Sequence, residues 1–219
     1  MVIAIDGPAG SGKSTTAKFV AEKLGFIHIN TGAMYRGISL KCMQGDINME
    51  NSSQLNHLLT NTKFKFAKEG GSTLVMDGVD ISAEITSAQV TDFVSYVSAI
   101  SAVREKLVQY QRDMAEGIDV VLEGRDIGTV VFPNAEYKFF LVADIHERAK
   151  RRKKEMDAKG EVVSLEELTS EMEKRDRKDS TRRHSPLKKA EDAVEIDTTG
   201  LNIEEQVNRI VEIVNKTIK

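Results

Sequence analysis

The feature that most constrains the fold of this chain is a glycine-rich segment close to its N-terminus. Residues 7–14 read Gly-Pro-Ala-Gly-Ser-Gly-Lys-Ser and match the full Gly-x4-Gly-Lys-Ser pattern. A short apolar run at residues 2–5 precedes the segment, and residues 13–24 repeat apolar side chains at helical spacing until Gly25. A buried strand, a glycine-rich loop and a helix in this order predict a phosphate-binding loop.

This loop suits the phosphates of a nucleoside triphosphate. Glycines let successive backbone N–H groups point at phosphate oxygens, and the helix that follows adds the positive end of its dipole. The Lys13 ammonium would contact the β- and γ-phosphates, and the Ser14 hydroxyl would coordinate Mg²⁺. The predicted triphosphate-binding residues are Gly7, Pro8, Ala9, Gly10, Ser11, Gly12, Lys13, Ser14 and Thr15.

The rest of the chain alternates between strand and helix patterns. Further apolar runs, typical of buried strands, lie at residues 26–29, 119–122, 137–143 and 193–197. Helical patterns lie at residues 33–44, 87–99, 101–116, 146–180 and 202–218. This alternation predicts an α/β protein of the P-loop NTPase fold, with a five-stranded, mostly parallel central sheet flanked by helices.

Two regions depart from that alternation. Residues 63–77 alternate polar and apolar side chains around a turn at residues 69–72, which predicts an antiparallel hairpin with one solvent-facing side. Residues 146–180 are highly charged, with a break near Gly160 and a capping box that begins at Ser164. We expect the first region to be an insertion in the central fold and the second to be a helical pair.

Composition excludes several classes of partner. The net charge is -3 and the isoelectric point is about 5.9, so the chain lacks the basic character of a nucleic-acid binder. Met1 leads directly into the first strand, without a signal-peptide pattern, and no apolar run reaches the length of a membrane span. The one cysteine, Cys42, cannot form an intramolecular disulfide. We expect a cytoplasmic monomer with no nucleic-acid or membrane partner.

The phosphate-binding loop does not identify the phosphoryl acceptor. The chain has no Asn-Lys-x-Asp motif of the kind with which GTPases read guanine, and it is short for a motor protein. A kinase of small molecules needs several arginines, because two highly charged phosphates must be held in line. Arg36, Arg125 and Arg182 are among the arginines that follow turns or end charged helices, which favours a small-molecule kinase.

Three further segments narrow the assignment. Residues 30–36 read Asn-Thr-Gly-Ala-Met-Tyr-Arg, residues 123–133 read Glu-Gly-Arg-Asp-Ile-Gly-Thr-Val-Val-Phe-Pro, and residues 175–182 read Arg-Asp-Arg-Lys-Asp-Ser-Thr-Arg. Together with the phosphate-binding loop, and in this order, they resemble the bacterial-type cytidylate kinase family over essentially the whole chain. The resemblance implies Mg²⁺-assisted transfer of a phosphoryl group from ATP to CMP, and to dCMP, with release of ADP.

The resemblance also implies roles for residues that match the motifs. Arg36 and Arg125 would hold the acceptor phosphate; Asp126, Arg104 and Arg182 would read cytosine. The implied CMP-binding residues are Thr31, Arg36, Ser95, Arg104, Arg125, Asp126, Arg175, Asp179 and Arg182. The implied catalytic residues are Lys13, Arg36, Arg125, Arg148 and Arg152, with Ser14 as metal ligand. The implied sub-regions are a core (1–36, 101–147 and 184–219), a nucleoside-monophosphate-binding insertion (37–100) and a lid (148–183).

Three alternatives stay open at this point. The acceptor could be another small molecule, such as UMP, shikimate or dephospho-coenzyme A. The chain could be a nucleotide-binding module that does not catalyse transfer. The basic segment at residues 174–183 could bind nucleic acid, although Asp176 and Asp179 within that segment argue against this alternative.

Overall fold

The structure, a computed structural model, describes residues 1–66, 73–158 and 160–217. The strands are β1 (Val2–Asp6), β2 (Ile27–Asn30), β3 (Phe64–Phe66), β4 (Leu74–Met76), β5 (Val79–Asp80), β6 (Val120–Gly124), β7 (Tyr137–Val142) and β8 (Val194–Asp197). The α-helices are α1 (Lys13–Leu24), α2 (Thr31–Gln44), α3 (Ser52–Thr60), α4 (Ala88–Val97), α5 (Ser101–Ala115), α6 (Ile145–Asp157), α7 (Leu165–Thr181) and α8 (Ile203–Thr217). A 3-10 turn spans Glu84–Thr86, and a π-helical turn spans Ile127–Val131.

The central sheet has five strands in the order β2-β6-β1-β7-β8, and every pairing is parallel. This arrangement confirms the predicted α/β fold. Parallel strands end at a common edge, and the register places Asp6 beside Gly124 and Asn30 beside Glu123. The phosphate-binding loop, the start of α2 and the segment after β6 therefore leave the sheet side by side.

Alternate side chains of the strands divide the core between the two faces of the sheet. Ile3, Ile5 and Phe139 pack with α1 and α8 on one face. Ala4 and Leu122 pack with α2, α4 and α5 on the other face, in an apolar cluster that continues into residues 55–97. Because both faces are covered, the strands are apolar along most of their length, which explains why they were recognisable in the sequence.

The predicted insertion contains more structure than the hairpin alone. Strands β3, β4 and β5 form an antiparallel sheet, which confirms the hairpin pattern, whereas the turn predicted at residues 69–72 lies outside the described residues. Helix α3 was not predicted. It begins after Asn51, whose side chain accepts hydrogen bonds from the N–H groups of Ser53 and Gln54, and it buries three leucines.

The charged region folds as two helices joined by a short connection. Gly160 adopts a left-handed conformation with φ of 77°, and the Ser164 and Glu167 side chains cap the start of α7 reciprocally, as the capping-box pattern predicted. Ala149, Leu168 and Met172 form a small apolar cluster between α6 and α7. None of the helices within the described parts of the chain is both long and apolar enough to cross a membrane.

Candidate active site

The phosphate-binding loop joins the end of β1 to the start of α1. Gly7 packs so closely on β7 that a Cβ atom there would lie 2.3 Å from the Leu141 carbonyl oxygen. Gly12 has a left-handed φ of 86° directly before α1. The Thr198 hydroxyl, after β8, donates to the Ser11 carbonyl at 3.0 Å. These contacts hold the loop in one shape and leave its N–H groups at the helix start, where they can meet phosphate oxygens.

Lys13 bends back over this loop. Its ammonium donates to the Pro8 carbonyl at 3.2 Å, and the residue is 7% exposed. Burial, and then the nearby Arg125 charge, lowers the pKa of Lys13 to about 7. A phosphate anion placed against the loop would favour the charged ammonium, so the site is built to gain electrostatic energy when a triphosphate binds.

Ser14 is paired with a carboxylate that the sequence analysis did not assign to the site. Its hydroxyl donates to Oε2 of Glu123 at 2.5 Å, and Glu123 is 2% exposed at the end of β6. The His28 Nε2 atom lies 3.5 Å from Oε1 of the same carboxylate. Burial opposes ionisation, but the His28 imidazole and the Lys13 ammonium hold the pKa of Glu123 below its usual range. The sequence feature that could have pointed to Glu123 is an acidic residue at the end of a buried strand.

Three arginines surround the space in front of the loop. Arg36 comes from α2, Arg125 follows β6, and Arg175 comes from α7; all three line a cavity of about 260 Å³ together with Lys13. Burial and then the charge of Arg125 lower the pKa of Arg36, and the same two causes lower that of Arg175 to about 10. Asp179 compensates in part, because its Oδ2 accepts from Arg125 Nε at 3.1 Å. An excess of positive charge in a cavity fits an anionic ligand.

A second group of charges lines the same cavity. Asp126 pairs with Arg104 through Oδ2, and the Arg182 guanidinium lies 3.8 Å from its Oδ1. Arg104 also donates to the Ser98 carbonyl at 3.2 Å and lies over the Tyr35 ring at 5.4 Å. The three charged side chains are largely buried, and they present both donors and acceptors to whatever enters the cavity.

The cavity brings together all the residues that the sequence implied for CMP. Its lining includes Thr31, Arg36, Ser95, Arg104, Arg125, Asp126, Arg175, Asp179 and Arg182. They come from helices α2, α4, α5 and α7, from the residue that follows α7, and from the segment after β6. Within this set, the Thr31 hydroxyl donates to the Glu123 carbonyl at 2.7 Å, so its proton is directed at the backbone.

Two of the implied catalytic arginines lie beside this cavity, and the charge of Arg152 adds to burial and to the Arg125 charge in lowering the pKa of Arg36. Arg148 is buried, donates to the Ala9 carbonyl at 3.0 Å and pairs with Asp176 at 2.7 Å, so it links the phosphate-binding loop to α7. Arg152 is partly exposed and pairs with Glu155 on its own helix at 3.0 Å. Neither side chain is among the residues that line the cavity.

Asp6 ends β1 immediately before the loop. Its two carboxylate oxygens accept hydrogen bonds from the N–H groups of Ile127 and Gly128, both at 2.8 Å. Burial raises the pKa of Asp6 to about 7, while the two N–H donors oppose that rise. The carboxylate thereby fastens the segment after β6 to the strand that carries the phosphate-binding loop.

Comparison with known proteins identifies the family. The family model described as cytidylate kinase matches residues 3–216. The chain belongs to the cytidylate kinase family. It is 51% identical over 214 residues to a cytidylate kinase from Desulforamulus reducens, an alignment that covers 98% of this chain and 96% of that protein. It is 47% identical over 218 residues to a cytidylate kinase from Pediococcus pentosaceus, covering 99% of this chain and 96% of that one.

Solved structures of more distant proteins share the fold. A gluconokinase from Sinorhizobium meliloti is 14% identical, has a TM-score of 0.52, and the match covers 99% of this chain and 96% of that chain. An uncharacterised protein from Eubacterium ventriosum is also 14% identical, with a TM-score of 0.54 and 98% of each chain covered. At this level of identity the likeness concerns the fold alone. The cytidylate kinase family resemblance predicted from the motifs is confirmed by the family model and the sequence relatives.

Proposed function

We propose that this chain transfers the γ-phosphoryl group of ATP to CMP and releases ADP and CDP, with dCMP as a second acceptor. Membership in the cytidylate kinase family supports the reaction. The assignment of the site depends on one observation: Lys13, Arg36 and Arg125 line the same cavity as the buried Asp126 and Arg104. The first three suit the phosphates, and the last two suit the base.

Catalysis in such a cavity rests on position and charge. The acceptor is a phosphate oxygen that is already anionic, so no strong general base is required. Lys13 would stabilise the donor phosphates from the loop side, while Arg36, Arg125 and Arg175 would hold the acceptor phosphate opposite them. Excluding water matters equally, because water would otherwise compete with CMP for the phosphoryl group.

Ser14 and Glu123 are the residues that fit a magnesium ion. Both offer oxygen ligands, which Mg²⁺ prefers, and Oε1 of Glu123 is buried with only a long contact of 3.5 Å to His28 Nε2 among the described residues. When bound with ATP, the ion would neutralise part of the phosphate charge. The serine and the carboxylate are held together by their own hydrogen bond, so each fixes the orientation of the other.

We expect Glu123→Gln to weaken the response to magnesium. The amide removes one negative charge beside Ser14, so the Mg²⁺ concentration for half-maximal rate should rise about 10-fold. Titration of Mg²⁺ at saturating ATP and CMP measures the rate, and equilibrium binding of ATP with and without Mg²⁺ gives a readout independent of turnover. Glu22→Gln, which alters an exposed carboxylate on α1 that pairs with Lys18 at 3.9 Å, is the matched control. An unchanged magnesium midpoint in Glu123→Gln would exclude Glu123 from this role.

We propose that residues 148–183 close over the substrates as a lid, with residues 37–100 as the monophosphate-binding part and residues 1–36, 101–147 and 184–219 as the core. The structure supports a separable lid, because α6 and α7 pack on each other through a small apolar cluster. Arg148 attaches the lid to the phosphate-binding loop through the Ala9 carbonyl, while its pair with Asp176 lies within the lid itself. A segment that is held to the rest of the protein by few apolar contacts opens more easily.

Limited trypsin digestion should reveal this lid. In the free protein we expect the first cuts between α6 and the end of α7, where Val162 is 96% exposed within the connection. CMP and a non-hydrolysable ATP analogue added together should slow these cuts several-fold, and either ligand alone should slow them less. Equal cleavage with and without the two ligands would contradict the lid assignment.

A screen of acceptors tests the proposed function itself. ADP release, measured with CMP, dCMP, UMP, AMP and GMP offered separately, should be fastest with the two cytidine nucleotides. Shikimate and dephospho-coenzyme A, which other kinases of this fold phosphorylate, are tested as alternative acceptors. ATP binding without turnover of any acceptor would point to a non-catalytic module, and preference for a non-nucleotide acceptor would overturn the CMP assignment.

A further inference from the structure

The turn that follows β6 is capped in an unusual way. Residues at the start of such a turn have free N–H groups, and an aspartate placed just before them ordinarily accepts their hydrogen bonds with its own side chain. Asp126 holds that position before the turn Ile127–Val131, but its side chain makes no such bond. Asp6, from a strand 120 positions earlier, accepts from Ile127 and Gly128 instead, both at 2.8 Å.

The cap supplied by Asp6 leaves the Asp126 carboxylate free for another task. Asp126 points into the cavity, where it pairs with Arg104 and lies 3.8 Å from Arg182. If Asp126 capped its own turn, its carboxylate would accept from the Gly128 or Thr129 N–H group, two and three residues further on, and would be turned away from the base-reading arginines. The Gly128 N–H group already donates to Oδ2 of Asp6, so it is not available to the Asp126 carboxylate.

We propose that Asp6 is a positioning residue for base specificity, which caps this turn in place of Asp126 and thereby keeps the Asp126 carboxylate in the cytosine-reading position. The inference rests on the proposed function. Asp6 does not line the cavity, so it would act on the base through the segment that carries Asp126. Repulsion between the two carboxylates acts in the same direction, because an ionised Asp6 disfavours a second negative charge at the turn.

Asp6→Asn tests this role because an amide cannot replace the carboxylate. Its oxygen can accept from one N–H group, but its NH₂ group would face the other, and the repulsion of Asp126 is lost. The Asp126 carboxylate can then rotate to cap the turn that follows it. We expect kcat/KM for CMP to fall about 10-fold or more and kcat/KM for UMP to fall less, so the ratio between the two substrates decreases. The KM for ATP should change less than about 3-fold.

The ratio of the two substrates is the decisive readout, because it does not depend on how much of a preparation is folded. Lys138→Met is the matched control. Lys138 lies against the same turn, with its Cδ 3.2 Å from a Cβ built at Gly128, but its ammonium bonds to Asp192 at 2.7 Å and to the Pro133 carbonyl. The control should lower stability without changing the CMP-to-UMP ratio.

A double-mutant cycle separates this role from a general structural one. If Asp6 acts through Asp126, the variant with both Asp6→Asn and Asp126→Asn should have the same substrate ratio as Asp126→Asn alone. If the two substitutions lower the CMP-to-UMP ratio independently, so that their effects multiply in the double variant, the proposal is wrong. An unchanged ratio in Asp6→Asn would also overturn it. If Asp6→Asn yields no folded protein, Asp6→Glu, which keeps the charge at a displaced position, should show an intermediate ratio. A wild-type protein that does not phosphorylate CMP would refute the proposed function instead.

Discussion

Replacing Lys13 by alanine should lower the rate of phosphoryl transfer from ATP to CMP by about 10³-fold or more. The ammonium is the loop's movable positive charge, and the charge on the phosphoryl oxygens that it contacts is redistributed during transfer. In the free protein it donates only to the Pro8 carbonyl among the contacts described, and its pKa is lowered by burial, so its charge is poorly compensated until phosphates arrive. The interaction should therefore stabilise the transferring group more than the bound ground state.

The kinetic constants distinguish this role from simple ATP binding. In Lys13→Ala, kcat should fall by far more than ATP affinity, which equilibrium binding of a non-hydrolysable analogue measures separately. Lys18→Ala is a suitable control, because Lys18 lies on the same helix and pairs with Glu22 at 3.9 Å on the surface. A variant that retained a tenth or more of the wild-type rate would show that Lys13 is not the main charge on the donor.

The parts of the fold that were predictable share a physical property. Strands β1, β2, β6 and β7 contain no exposed residue, and their apolar runs are therefore visible without knowledge of their neighbours. The edge strand β8 is largely exposed and buries Ile196. Helix α3 was missed because its sequence, rich in Ser, Asn and Gln, has a weak helical preference, and its helical form depends on the Asn51 cap and on the packing of Leu55 and Leu58. Packing against distant segments, rather than local helical preference, therefore determines that this helix forms.

The same distinction holds for the candidate site. Three of the motifs located cavity residues because each follows a strand that ends at the same edge of the sheet, whereas Arg175, Asp179 and Arg182 reach the cavity from α7 and its C-terminal end. The sequence did not indicate that Glu123 contacts Ser14, since these residues are 109 positions apart and meet only through the pairing of β1 with β6. Nor did spacing along α6 show that Arg148 turns to the Ala9 carbonyl, while Arg152 stays near the surface.

The selection of cytosine over uracil should be large. Cytosine carries a 4-amino donor where uracil carries an oxygen acceptor, and its N3 is an acceptor where uracil has an N–H donor. An ionised carboxylate such as Asp126 only accepts hydrogen bonds, and Arg104 and Arg182 only donate them. These groups are buried against one another, so uracil would leave donors facing a donor and acceptors facing an acceptor. We expect kcat/KM for CMP to exceed that for UMP by about 10²-fold or more.

Asp126→Asn should reduce this ratio, chiefly by lowering kcat/KM for CMP. The amide can present either a donor or an acceptor, so it loses the charge that favours the 4-amino group and no longer repels the uracil oxygen. The variant also leaves Arg104 without its negatively charged partner, so binding of both nucleotides should weaken. Asp192→Asn, which alters an exposed carboxylate that pairs with Lys138, serves as the control. If the wild-type protein phosphorylates UMP and CMP with equal kcat/KM, this cavity does not select cytosine. If the wild type prefers CMP but Asp126→Asn has the same CMP-to-UMP ratio, other residues read the base, and Asp126 serves to hold Arg104 in place.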